Sequence, residues 1–299
     1  MTNTVERLRR RVDELGGLLP TESSLSGYLF WLSRPRFWVY LAGPVVVGAV
    51  YAVDSVAELF SPLSIALFIF FLVPANVFLY GVNDLFDSDI DAENPKKEDK
   101  ELRYRGGRVV ASVVLASGLL GLAFVPVLSV PALLALGGFY LLAIEYSAPP
   151  LRAKTVPLLD SLSNGLYVLP GVLAYAALAG EYPPLAAIVG GWLWAMGMHT
   201  FSAIPDIEPD RKAGIETTAT LLGERRTYAY CGACWIAAAG AFWFVHPFFG
   251  ALLLSYPLLV FGIVASEVAV ERAYWWYPAI NTLVGTAMSL GGFWVLVYG

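Results

Sequence analysis

Residues 61–91 read SPLSIALFIFFLVPANVFLYGVNDLFDSDID, an apolar run with no charge before Asp84 that then closes in Asn83, Asp84, Asp87, Asp89 and Asp91. A spanning helix needs about 20 mainly apolar residues, and positions 61–82 supply them. A charge at the bilayer centre costs at least about 2.5 kcal/mol, so acids at a span's end usually face a cavity, a partner ion or a substrate path. A second apolar stretch, 184–204, closes in the same way with Asp206-Ile207-Glu208-Pro209-Asp210. Two such acidic ends suggest one shared cation site.

The composition extends this reading to the whole chain. Of 299 residues, 58% are hydrophobic and 14% charged, with mean hydropathy +0.64, outside the range of a soluble domain. The expected fold is all-α: nine transmembrane helices around a central cavity, at 37–53, 61–82, 109–129, 131–147, 159–179, 184–204, 227–245, 248–267 and 276–298. Lys and Arg accumulate in loops that stay in the cytoplasm. With an inward N-terminus, all 19 fall on one side of these spans, whereas the opposite loops hold Asp54, Glu58 and Glu181 and no Lys or Arg. A missed span would scramble that partition. The expected location is therefore the cell membrane, with the N-terminus, both acidic motifs and the cavity mouth on the cytoplasmic side.

Residues 1–33 read as a cytoplasmic segment with an amphipathic helix over Val5–Leu19, and 34–299 as one membrane domain. The basic N-terminus leads into Thr21-Glu22-Ser23-Ser24, unlike the short apolar core of a cleavable signal. A net charge of −5, with no basic stripe, argues against nucleic acid. Cys231 and Cys234 lie among small residues inside a span and read as a packing contact. Oligomeric state is not legible.

On a helix advancing about 100° per residue, Asp84, Asp87 and Asp91 share one face, and Asp206 and Asp210 lie one turn apart. Stacked carboxylates repel unless a cation bridges them, and hard oxygens with room for water suit Mg²⁺. Mg²⁺ commonly shares its shell with substrate phosphates, so the expected ligand headgroup is a diphosphate. Lys96, Lys97, Arg152, Lys154, Arg211 and Lys212 could neutralise the remaining phosphate charge, and inward topology explains the same residues without a ligand. Below the headgroup, Asn76, Phe78 and Tyr80 of one span and Trp192, Trp194, Met198 and His199 of another offer a π-rich wall to shelter a carbocation. His199, two turns before Asp206, reads either as the acceptor of a released proton or as an interhelical hydrogen-bonding residue. Asp89, Glu93, Glu98 and Asp99 read as capping or solvated acids.

These motifs resemble the UbiA superfamily of intramembrane prenyltransferases. Asn83, Asp84, Asp87 and Asp91 match that family's Asn-Asp-x-x-Asp-x-x-x-Asp, and Asp206-x-x-x-Asp210-x-Lys212-x-Gly214, running on to Thr217-Thr218-Ala219, matches its second motif. The resemblance covers about residues 34–299. It implies Mg²⁺ and an isoprenyl diphosphate at the two clusters, Asn83 beside the diphosphate, and attack on the allylic cation by a lipophilic acceptor. Many members continue the first motif as Arg-Pro-Leu-Pro-Ser-Gly, where this chain has Asn94-Pro95-Lys96-Lys97-Glu98. Together with Tyr146-Ser147-Ala148-Pro149-Pro150 and His199 through Asp206, that segment is similar to the lycopene elongases of C50 carotenoid synthesis. The branch implies a dimethylallyl (C5) donor, lycopene as acceptor, hydration in some members, and Tyr146 on the cavity wall.

The alternative acceptors are a quinone precursor or a glycerol ether. A carrier for cations or lipid diphosphates is the competing class, and it calls for ionisable groups through to the outer face. The outer halves of these spans have none. A phosphatidyltransferase would carry Asp-Gly-x-x-Ala-Arg, which is missing.

Overall fold

The computed structural model describes residues 20–21, 24–91, 107–266 and 268–299, the side chains of 87–91 excepted. Among the described residues all regular structure is helical and there is no strand. That outcome follows from lipid as solvent, because a helix satisfies its backbone N–H and C=O groups within one segment. Numbering the α-helices of seven residues or more, α1 is Leu25–Leu32, α2 Trp38–Val50, α3 Pro62–Leu72 and α4 Pro74–Asp91. They are followed by α5 Arg108–Leu119, α6 Val130–Glu145, α7 Leu169–Ala179 and α8 Leu185–Ser202. The last four are α9 Glu224–Trp243, α10 Pro247–Leu253, α11 Ser255–Ser266 and α12 Val270–Tyr298.

All nine apolar stretches expected from the sequence are helical, yet several are broken. Proline has no N–H to donate and its ring crowds the preceding turn. At Pro74 the break separates α3 from α4, and Asn76 bridges it by donating Nδ2 to the carbonyls of Phe71 (2.9 Å) and Leu72 (3.0 Å). The stretch 159–179 divides into Leu159–Leu162, a tighter turn over Ser163–Tyr167, and α7 with Pro170 in its first turn. Helix α12 begins at Val270, six positions before the expected 276, and accommodates Pro278 internally. By length and hydropathy, five described helical stretches suffice to cross a membrane: Val56–Phe86, Arg108–Val127, Leu159–Ala179, Pro247–Ser266 and Val270–Tyr298.

Two apolar cores form. The first gathers Leu41, Leu67, Phe71, Phe139 and Leu173, and α1 joins it through Tyr28 and Leu32, so part of the N-terminal segment packs against the bundle. The proposed amphipathic helix at 5–19 lies outside the described residues. The second core is aromatic: Trp235 stacks on Tyr277 (centroids 6.1 Å apart, planes at 22°), with Phe201 and Tyr256 beside them. Helices α2 and α7 cross backbone to backbone, since a Cβ on Gly48 would stand 2.1 Å from the carbonyl oxygen of Gly171. Close approach through small residues is how helices associate in lipid. Outward, Leu258 and Phe261 of α11 and Leu283, Leu290 and Trp294 of α12 are exposed. Large apolar side chains left exposed in such number suit lipid, not water.

Candidate active site

Between the two cores lies a cavity of about 310 Å³. Its aromatic wall is Phe37 and Tyr40 at the start of the first span, Tyr80 of α4, Tyr146, Tyr167, Trp194 of α8 and Tyr274 of α12. Its polar groups are Arg34, Asn83, Asn164, His199, Ser202 and Asp206. The ends of the two acid-terminated spans therefore meet at one chamber, Asn83 from α4 and Asp206 just beyond α8.

Asp84 is only 4% exposed and forms an ion pair with Arg34, Nη2 to Oδ1 at 3.5 Å. The Arg34 guanidinium also lies 4.6 Å above the ring of Tyr80. A carboxylate so far out of water needs such a partner. Arg34 reaches it from a left-handed backbone (φ 50°) immediately before Pro35, which opens the turn Pro35–Phe37. Non-glycine residues at positive φ are uncommon and concentrate at functional sites. Sequence reasoning placed Arg34 among the topological bases and missed it. Its position beside proline at the mouth of the first span was the available signal.

The remaining acids divide. Asp87 and Asp91 lie on α4 by backbone, one and two turns beyond Asp84, and their side chains are outside the described residues, as are Lys96 and Lys97. Asp210 is half-buried on the short helix Ile207–Lys212, where its carbonyl accepts from the N–H of Ile215 at 2.9 Å. Among the described residues no three His, Cys, Asp or Glu side chains converge as a metal cluster. The donor set nonetheless fits a hard cation. Asn83 Oδ1 is buried with no hydrogen-bond partner, next to Asp84 and on the same cavity as Asp206, an all-oxygen arrangement suited to Mg²⁺.

Of the expected bases, Arg152 donates from Nη2 to the Phe86 carbonyl (2.7 Å), tying its loop to the acidic end of α4, and Lys154 donates its N–H to the Tyr146 carbonyl (3.1 Å). Arg211 faces away from the chamber, pairing with Glu208 (3.1 Å) and donating to the Thr220 carbonyl (2.8 Å). Lys212 is exposed. Tyr80, Tyr146 and His199 line the cavity, with the His199 ring edge-on to Tyr146 at 5.9 Å. Asn76, expected on that wall, is fully buried at the α3–α4 break and is not a lining residue. Its spacing from Asp84 put it on the right face, but the carbonyls freed at the break claim its amide.

A buried strut joins the second motif to the wall. Asp160, with no exposed surface, accepts the N–H of Thr218 at Oδ2 (2.9 Å) and the Thr218 hydroxyl at its other oxygen. The N–H of Leu158 donates to the same hydroxyl (2.7 Å), and Asn164 Nδ2 donates to the Asp160 carbonyl (2.6 Å). Thr217-Thr218-Ala219, the tail of the second motif, is thus strapped to the segment that presents Asn164, Leu166 and Tyr167 to the chamber.

The chain is 61% identical over 288 residues to the lycopene elongase/hydratase of Haloarcula japonica, an alignment covering 96% of this chain and 98% of that one. Its fold is similar to the UbiA homologue of Archaeoglobus fulgidus bound to GPP and Mg²⁺, with TM-score 0.70, 20% identity, and coverage of 90% of this chain and 99% of that one. The same homologue bound to DMAPP and Mg²⁺ gives TM-score 0.69 at 20% identity, covering 91% and 99%. The model of the UbiA prenyltransferase family matches residues 41–296, and the chain belongs to that family.

Proposed function

We propose that this protein transfers a dimethylallyl (C5) group from its diphosphate to lycopene in C50 carotenoid synthesis, with Mg²⁺ as cofactor. One observation carries the reading: Asn83 and Asp206, at the ends of two distant spans, line one aromatic chamber together with Arg34, whose guanidinium is ion-paired to the buried Asp84. The 61% identity to a lycopene elongase/hydratase supports lycopene as acceptor, and the DMAPP-bound homologue supports the C5 donor. In this reading 34–299 is the catalytic domain, its nine helical stretches span the cell membrane, and both acidic motifs lie on the cytoplasmic side.

Asn83, Asp84, Asp87, Asp91, Asp206 and Asp210 hold Mg²⁺, which supplies positive charge to the leaving diphosphate. Arg34, Arg152 and Lys154 orient the diphosphate from the same end. Tyr40, Tyr80, Tyr167 and Tyr274 present ring faces to the allylic cation and exclude bulk water from it. His199, on the same wall, takes up a released proton.

Membranes carrying the protein, incubated with labelled dimethylallyl diphosphate, Mg²⁺ and lycopene, should yield labelled elongated carotene. Asp84→Ala and Asp206→Ala should each lower turnover by about 100-fold or more. Full activity in either variant, or turnover without Mg²⁺, contradicts the mechanism. Label entering a quinone precursor instead removes only the carotenoid assignment.

A further inference from the structure

Helix α12 carries an asparagine, Asn281, on a stretch otherwise given to apolar packing. Both polar atoms of its side chain are engaged in a directed way: Tyr256 of α11 donates its hydroxyl to Oδ1 (2.8 Å), and Nδ2 donates to the hydroxyl oxygen of Tyr40 on α2 (3.0 Å). Tyr256 is fully buried, whereas Tyr40 reaches the cavity wall. The ring of Tyr40 lies edge-on to Tyr167 at 6.2 Å, and the Tyr167 hydroxyl is 3.4 Å from that of Tyr80, so three phenol groups gather at the chamber. With one lone pair taken by Asn281, Tyr40 keeps its second lone pair and its own proton for the chamber. A polar relay of this kind within a membrane bundle marks a functional group by default.

We infer that Tyr40, set by Asn281 and Tyr256, holds the water that captures the product cation, and so directs this enzyme to a hydroxylated carotene. The inference rests on the lycopene reading above. In that reaction the allylic C–O bond breaks and its electron pair leaves with pyrophosphate. A terminal double bond of the carotene then supplies its π pair to the C5 cation, forming the new C–C bond and leaving a tertiary cation. Water donating one hydrogen to the Tyr40 oxygen has its lone pair turned toward that carbon. The C–O bond forms, and the oxonium proton passes to His199, the proton acceptor on the same wall. Without this water, the same cation loses a proton from the neighbouring carbon and gives an unhydrated alkene. Tyr40 is thereby a specificity-determining residue, and Asn281 and Tyr256 are positioning residues.

Wild type, Tyr40→Phe, Asn281→Leu and Tyr256→Phe are to be assayed in membranes with labelled dimethylallyl diphosphate, lycopene and ¹⁸O-water. The readout is the ratio of ¹⁸O-hydroxylated to unhydrated elongated carotene within each sample, from which differences in total folded enzyme cancel. The ratio should fall about tenfold in Tyr40→Phe and Asn281→Leu, the effect of losing one hydrogen bond, and less in Tyr256→Phe. An unchanged ratio in Tyr40→Phe overturns the inference. So does parallel loss of both products in all three variants, which would make the relay a structural tie between α2, α11 and α12. Elongated but unhydrated carotene from wild type overturns the inference and leaves prenyl transfer standing, whereas no label in any carotene removes both.

Discussion

Asp160 illustrates how a single buried charge organises a site it does not line. Both donors of Thr218 end on its carboxylate, and nothing of the side chain is exposed. Asp160→Ala should leave those donors unmade, at about 1–3 kcal/mol each, and lower the melting temperature in detergent by about 5 °C or more. Thr218→Val removes a member of the same network, so the double variant should melt well above the sum of the two losses. Additive losses would show that Asp160 and Thr218 contribute independently and not through their mutual contact. Neither Asp160 nor Arg34 was legible as a site residue in the sequence, because a lone acid and a loop arginine carry no motif. The aspartates were legible, since their helical spacing and repetition at two span ends are local patterns.

Among the elements, α2 and α7 decide how closely the first half packs. A Cβ on Gly48 would sit 2.1 Å from the Gly171 carbonyl oxygen, and one on Gly171 would sit 2.8 Å from that of Pro44. Backbone atoms cannot rotate aside, so Gly48→Ala must spread the helices and should cost about 1–3 kcal/mol. Gly137 of α6 has nothing within 4 Å of its would-be Cβ, and Gly137→Ala should raise stability by up to about 1 kcal/mol through helix propensity. Melting the two variants side by side separates crossing geometry from propensity; equal shifts of the same sign would contradict this account. The apolar runs predicted where helices lie, but not that 159–179 would break ahead of Pro170 or that α12 would begin at Val270. At the first of these the Leu162 carbonyl accepts from Nε1 of Trp192 on α8 (2.8 Å), a partner that no local pattern announces.

At the scale of the molecule, the cavity lies where two separately packed cores adjoin, and orientation in the membrane decides which side its charged end faces. In intact cells, a membrane-impermeant thiol reagent should modify Glu181→Cys, while Glu216→Cys should react only after permeabilisation. Both positions are exposed, and the native Cys231 and Cys234 are buried. The opposite labelling pattern would invert the proposed topology. Helical class, the apolar stretches and the acid-closed ends were readable along the chain, because partition into lipid is a property of each segment taken alone. The chamber was not. Arg34, Tyr40, Tyr167 and Tyr274 come from four segments, and they meet only because helices cross at backbone distance and the two cores leave a gap between them. A gap between packed surfaces depends on pairs of distant segments, and such pairs leave no pattern in either segment.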